Sequence, residues 1–505
     1  MLFIGMDLSP ASWIWFPSRR TLPNTFVLFR RTIELDRAPS RAAGWITADS
    51  RYRLTVNGTR VQWGPAPCDP RELDVDPVDL APHLRAGTNV IGVEVLFYGL
   101  GEGTWVAGKP GLLCHFELED TRGRLTQIVS DETWQTFLDR AHRPGQYKRW
   151  FLRALQEEFD ARLHPHGWDT PAFVPGAGWL PAMRLDAPAD KPSACGRYFE
   201  YLGGDSIPAA SAALRERGIP PLREIEVPAL RLADAGRVTW WRDPLDWFEY
   251  RTPDSFQITR EPIVVERGAG RWELLIPPIN VGTFERSNVP TFNAAYVTFQ
   301  LAEQVVGWPF FTIDAPAGTI VELICQESHD PARTAWLDSH FYAWSRFVCR
   351  EGVNRFETFD FESLRWMQLH VRLPDDRRPT TDDRRPTTDN VVSAPVVGGR
   401  RSVVISGVGV RRRMFPWPHQ PRIGCDDPAL QRLFDAAVNT LHNSAQETCV
   451  DGMGRERQQY SGDGGHQLQA IRYTFGETRL PRRFLATFGA GLTADGYFLD
   501  CWPAY

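Results

Sequence analysis

The sequence has no run approaching the ~20 consecutive apolar residues of a membrane-spanning helix. Its start, MLFIGMDLSPASWIWF, lacks a basic leader and carries an acid at Asp7. Neither a spanning segment nor a secretory signal is predicted, and a cytoplasmic location follows as the default. Cationic excess is missing too, since 57 Lys+Arg stand against 62 Asp+Glu for a net charge of −5. That balance offers no basic field for nucleic acid and no polybasic anchor for a membrane. The eight cysteines, at 68, 114, 195, 325, 349, 425, 449 and 501, form no CxxC pair and no dense framework. They read as reduced thiols. Methionine is scarce, at six residues against nineteen Trp. Indole is a large apolar plate with one polar handle, suited to sandwich cores and to stacking on the CH faces of sugars.

What is present is a β-rich chain that turns helical near its end. A length of 505 residues with 42% hydrophobic composition fits about three domains, each with its own core. In the first, residues 1–187, Tyr52, Leu54 and Val56 alternate with polar residues before Asn57-Gly58, a strong hairpin signal, and a partner strand begins at Thr59. The run from Asn89 to Phe97 predicts a strand buried on both faces. The pattern is that of a β-sandwich. The second region, 188–422, stays β-rich: AYVTFQLAEQVVGWPFFTIDAPAGTIVELICQE gives strands around a turn, and SRFVCREGVNRFETFDFESLRWMQLHV gives three more around Glu351-Gly352. A second sandwich is predicted. The tandem copy of DDRRPTT at 375–388 has no apolar residue beyond its prolines and predicts a solvated loop.

Three local features invite a functional reading and are set aside. Asp74, Asp76 and Asp79 lack the spacing and terminal Glu of a calcium loop, so they predict a turn. His164 and His166 flank Pro165 with no Cys or third His nearby in sequence, which predicts a loop rather than a metal site. Gly99, Gly101 and Gly103 are followed by no Lys-Ser/Thr, which removes a phosphate loop. No metal and no cofactor are expected.

The period changes in the third region, 423–505. Asp427 before Pro428 reads as a helix cap, and Leu430, Leu433, Phe434, Ala437, Val438 and Leu441 mark one helical face. Leu468, Ile471, Tyr473 and Phe475 suggest a second helix stopped by Gly476, and Pro481, Phe484, Leu485 and Phe488 a third. Between the first two lies CVDGMGRERQQYSGD, residues 449–463, which packs Asp451, Arg455, Glu456, Arg457 and Asp463 among three glycines. Such density of paired charge is either solvated surface or a polar active site.

The spacing of that stretch resembles the signature of bacterial α-L-rhamnosidases, the inverting glycoside hydrolases of family 78, roughly Asp-Cys-Pro-x-Arg-Glu-Arg-x-Gly-Trp-x-Gly-Asp. Asp451, Arg455, Glu456, Arg457, Gly462 and Asp463 fall on it without a gap. Gly452, Met453, Gln459 and Tyr460 depart from it. The run YRLTVNGTRV with LDVDPVDLAPHLRAGTNVIGVEV also looks like the galactose-binding type of jelly roll found in these enzymes, and Gly307-Trp308 fits their second sandwich. The resemblance implies two β-sandwich, jelly-roll-like domains followed by the first hairpins of an (α/α)6 barrel. It implies Glu456 as the general acid, with Asp451, Arg455, Tyr460, Asp463 and Trp502 holding the sugar.

Two carboxylates near an acid favour its protonated form, and an Arg opposes this. Arg455 is therefore expected to pair with Asp451 or Asp463, leaving the proton on Glu456. Twelve barrel helices need roughly 200 residues or more, while 505 − 425 = 80 residues follow Cys425. The expectation is an incomplete catalytic domain, with no residue matched to the general base and no turnover by this chain alone; Asp495 and Asp500 are guesses for that base. The function implied is hydrolysis of terminal α-L-rhamnosides or a related sugar, with a carbohydrate as partner. The alternative is a non-catalytic carbohydrate-binding protein.

Overall fold

The computed structural model describes residues 5–18, 20–68, 72–99, 109–144, 157–185, 213–240, 256–276, 292–337, 344–374, 402–421, 423–454, 456–493 and 495–502. The DDRRPTT copies, Gly101, Gly103, Cys195 and Arg455 lie outside these residues. Two compact units divide the chain: one takes Met1–Leu155, Leu163–Glu224 and Arg413–Tyr505, the other Gln156–Arg162 and Ile225–Arg412.

The first unit holds a two-sheet sandwich. Its strands are β1 (Ile14–Trp15), β2 (Thr25–Leu35), β3 (Arg41–Asp49), β4 (Arg51–Val56), β5 (Thr59–Gly64), β6 (Glu72–Asp79), β7 (Gly87–Phe97), β8 (Gly111–Glu119), β9 (Leu125–Val129) and β10 (Gln135–Leu138). One sheet runs Met183–Arg184, β1, β8, β3, β6, Ala213–Glu216, with β9 on β8; the other runs Leu180–Pro181, β10, β2, β7, β4, β5. Val27 and Phe29 of β2, Leu54 of β4 and Val93 of β7 meet Ile46 of β3 and Phe116 of β8 in one buried core. The hairpin forms as its sequence directs, with Asn57 at φ 52° and Gly58 at φ 78° joining β4 to β5. A left-handed pair of this kind matches the twist of the two strands. β7 lies between β2 and β4, which explains its long apolar run.

Asp74 and Asp76 do not form the expected turn. Both lie on β6, side chains fully buried, where alternate residues share a face. The parallel neighbour Ala213–Glu216 sets Arg215 beside Asp74, and the Arg215 and Asp74 side chains pair at 2.9 Å. Arg217 reaches Asp76 at 3.0 Å, and Tyr52 donates to the same carboxylate at 2.5 Å. Charge at period two is satisfied here by a second charged strand rather than by solvent.

Three α-helices lie among the described residues of this unit: α1 (Pro428–Ser444), α2 (Ser461–Phe475) and α3 (Arg479–Ala490). Asp427 caps α1, its carboxylate accepting from the N–H groups of Ala429 and Leu430, and Gly476 closes α2 in the left-handed region at φ 67°. Leu441, Ile471, Phe475, Phe484, Phe488 and Trp502 form their core with Phe415 and Ile219. The anticipated apolar face is only half used, since Leu430 and Leu433 are exposed on α1, as are Tyr473 on α2 and Leu485 on α3.

Buried ion pairs tie the helices to the sandwich of the same unit. Arg413 and Arg217 both hold Glu447, at 2.6 and 3.2 Å, and Arg483 of α3 pairs with Asp74. Glu447 stays below the usual carboxylate range: burial works against the charge, but the guanidinium groups of Arg413, Arg217 and Arg51 outweigh it.

In the second unit the strands among the described residues form one branched, hydrogen-bonded sheet of twelve, where a second sandwich was expected. The strand Phe292–Ala315 explains the difference. Residues 295–300 pair with 366–371, residues 310–315 pair with 352–357, and the register shifts between Gln300 and Val305. One strand thus passes from one group of partners to another. Trp308 sits beside this shift, buried, its indole N–H donating to the Phe359 carbonyl at 3.0 Å. Among the described residues between 210 and 400 there is no α-helix. The seven described cysteines are free thiols, and no helix among the described residues is long and apolar enough to cross a membrane.

Candidate active site

The loop between α1 and α2 is held from both ends. Cys449 bridges back to Ala445, and the Val450 N–H donates to the Ser444 carbonyl at 3.1 Å. Gln467, one and a half turns into α2, donates its amide to the Val450 carbonyl at 2.7 Å. At the far end Gln459 and Trp502 exchange two bonds: the Gln459 amide donates to the Trp502 carbonyl at 2.7 Å, and the Trp502 N–H to the Gln459 carbonyl at 3.2 Å. Cys501 donates to the Gln458 side-chain oxygen at 3.0 Å. Gln458 and Gln459 are buried and Gln467 half-buried; all three work as loop scaffolding, a role that no local sequence pattern announces.

Within this frame the chain doubles back. The Arg457 N–H donates to the Gly452 carbonyl at 3.1 Å, the Asp451 N–H to the Gln458 carbonyl at 3.1 Å, and the Gln458 N–H to Asp451 Oδ1 at 3.0 Å. Arg457 adopts the left-handed region at φ 54° and turns inward, its Nε donating to the Met453 carbonyl at 2.5 Å. The tight return brings Asp451 and Glu456 into hydrogen-bond contact.

That contact sets the electrostatics. Burial first, then the bond to Glu456, push the Asp451 carboxyl up to about 7, against the pull of the Gly452 and Gln458 backbone N–H groups. Two carboxyls in contact cannot both ionise cheaply, so near neutral pH they hold one proton between them. The expectation was an Arg455 pair with Asp451 or Asp463 and the proton on Glu456; Arg455 lies outside the described residues. Here Asp451 engages Glu456 itself, and the proton belongs to the pair.

The other anticipated residues are placed variously. Tyr460 is half-buried at the cap of α2, bridged to Cys501. Asp463 is exposed in the first turn of α2, where a carboxylate suits the positive end of the helix. Trp502 is wholly buried in the helical core, and its ring lies so close to Gly491 that a Cβ there would approach it to 2.6 Å. It offers no face to a ligand in this structure. Asp495 and Asp500 are exposed. Gly464, beside Asp463, is required by packing, because a Cβ would meet the Phe484 ring at 2.1 Å.

Residues 37–196 match the model of the α-L-rhamnosidase N-terminal domain. An α-L-rhamnosidase of Streptomyces avermitilis is 27% identical over 180 residues, which is 34% of this chain and 15% of that protein. Among solved structures, the family 78 rhamnosidase of Bacillus sp. GL1 superposes with a TM-score of 0.71 at 18% identity, covering 99% of this chain and 65% of that one. The α-L-rhamnosidase of Aspergillus terreus does so at 0.63 and 17%, covering 99% and 47%. The chain thus spans less than two thirds of the length of each of these relatives.

Proposed function

The chain is similar to the N-terminal portion of α-L-rhamnosidases, and we propose that it carries the acid half of a glycoside-hydrolase site for terminal α-L-rhamnosides or a closely related sugar. α1–α3 are taken as the opening helices of an (α/α)6 barrel. The observation that carries the proposal is the Asp451–Glu456 pair, which retains a proton near neutral pH on a loop fixed at both ends.

Glycosidic oxygens are poor leaving groups unless protonated as the bond breaks. An acid for that task needs its proton at working pH and needs to be placed before the substrate arrives. Asp451 supplies both requirements for Glu456: its own charge resists loss of the shared proton, and its bonds to the Gln458 backbone keep it in place. Contact between the two carboxyls also excludes them as the complete catalytic pair, because inversion needs carboxyls roughly 6.5–9.5 Å apart and retention roughly 5–5.5 Å. The base that activates water is therefore assigned to neither. Asp451, Arg455, Tyr460 and Asp463 are proposed to hold sugar hydroxyls and the ring face.

The test is hydrolysis of an aryl α-L-rhamnoside by the protein as its gene encodes it, beside Glu456→Gln. Release of β-L-rhamnose, seen by NMR before mutarotation, with at least a 10²-fold loss of turnover in the variant, is expected. Sugar binding without turnover in the parent protein would favour a carbohydrate-binding role instead.

A further inference from the structure

The outer face of the six-stranded sheet carries a cluster of metal-ligating groups away from the Asp451–Glu456 loop. Glu94 of β7, Asp139 just after β10, and His142 each offer one ligand atom, all within 4.8 Å of one another. The residues lie 45 and 3 positions apart, and nothing in the sequence signals their meeting. His164 adds a second imidazole, its Nδ1 2.8 Å from Asp139 Oδ2. The pair His164/His166 lacks a third His only in sequence, since His142 approaches the same Asp139 oxygen at 3.5 Å.

The cluster is built rather than incidental. Asp139 is fixed by its N–H to the Phe26 carbonyl at 3.1 Å, and its Oδ1 accepts the Ala141 N–H at 3.0 Å, so Oδ2 is turned to the imidazoles. The His142 ring is clamped by stacking on Phe26, centroids 3.6 Å apart and planes 11° from parallel. Asp139 has no exposed side-chain surface, while Glu94 and His164 keep 12% and 15%, leaving a path from solvent. Burial works against the Asp139 charge, but the hydrogen bonds from His142 and His164 outweigh it and hold the group ionised at neutral pH. Arg53 faces the site from β4, 3.5 Å from Glu94, and its charge opposes a metal there.

We propose that Glu94, Asp139 and His142 form a binding site for a divalent transition-metal ion of the zinc class, with His164 positioning the Asp139 carboxylate from outside. A tetrahedral ion with bonds of about 2.1 Å needs ligand atoms about 3.4 Å apart, and the 3.5 Å between Asp139 Oδ2 and His142 Nδ1 meets this. Glu94 closes on the ion by a side-chain rotation that loosens its long contact to Arg53. An imidazole with two carboxylates favours zinc over calcium or magnesium, which take oxygen ligands in larger number. A hydrogen-bonded partner on a ligating carboxylate is the usual second layer of such a site. The ion would pin the segment after β10 to the sheet.

The experiment uses the 505-residue chain, stripped with chelator and titrated calorimetrically with Zn²⁺ alone and with Mg²⁺ alone. One Zn²⁺ per chain and no Mg²⁺ binding are expected. His142→Phe keeps the ring stacked on Phe26 but removes the ligand atom, and should abolish the Zn²⁺ heat. Glu94→Gln, at the rim, should weaken binding at least tenfold while leaving the far-ultraviolet spectrum unchanged. Absence of Zn²⁺ binding by the parent chain overturns the proposal, as does equal binding by the parent and both variants, which would place the ion on thiols elsewhere.

Discussion

Replacing Asp451 with Asn should change how stability depends on pH. In the folded chain the Asp451 carboxyl is raised from 3.8 to about 7, so the native state holds a proton that the unfolded state has already released. Stability from this group is therefore full below the unfolded value and is lost as pH rises through the window between roughly 4 and 7. At about 1.36 kcal/mol for each tenfold change in proton affinity, the displacement corresponds to ~4 kcal/mol. The carboxyl is only partly buried, and screening by water reduces this to ~2 kcal/mol. Asn keeps the shape and cannot titrate, so the variant's stability should be flatter by that amount. Urea unfolding from pH 4.5 to 7.5, followed by helical ellipticity, measures it, because α1–α3 are the α-helices among the described residues. Parallel curves for parent and variant would refute the shared proton, and with it the reasoning about Glu456.

The same unit gives two further expectations. Arg217→Met removes the common partner of Asp76 and Glu447, leaving two buried charges undercompensated; a loss of about 3–5 kcal/mol in urea unfolding is expected, and a loss under 1 kcal/mol would count against the network. Gly464→Ala drives a Cβ into the Phe484 ring and should cost about 1–3 kcal/mol through overpacking, read as a lowered midpoint, whereas Gly465→Ala, with open space around it, should not.

How much of this was legible beforehand depends on how local the cause is. The Asn57-Gly58 hairpin and the Asp427 cap are set by a few adjacent residues, and both form as read. The α1 face was read correctly as one stripe, yet Leu430 and Leu433 are exposed, because period tells which residues share a face and not what covers it. Asp74 and Asp76 were misread as a turn because their partners, Arg215 and Arg217, lie 141 residues away. The carboxyl contact in the candidate site was also hidden. Asp451 and Glu456 are five residues apart, and the chain between them doubles back through the bonds of Asp451 to Gln458 and of Arg457 to Gly452.

The most direct measurement of the central claim compares leaving groups. Glu456→Gln, in the protein as its gene encodes it, keeps the side chain's shape and cannot donate a proton; a positioned acid is worth about 10²- to 10⁴-fold in rate. A sugar or alkyl aglycone departs as a basic alkoxide and needs that proton, whereas dinitrophenolate hardly does. The account predicts severe loss on natural rhamnosides, a much smaller loss on the dinitrophenyl rhamnoside, and equal losses on both for Asp463→Asn. Equal losses on the two substrates for Glu456→Gln would contradict it and leave Glu456 as a sugar contact.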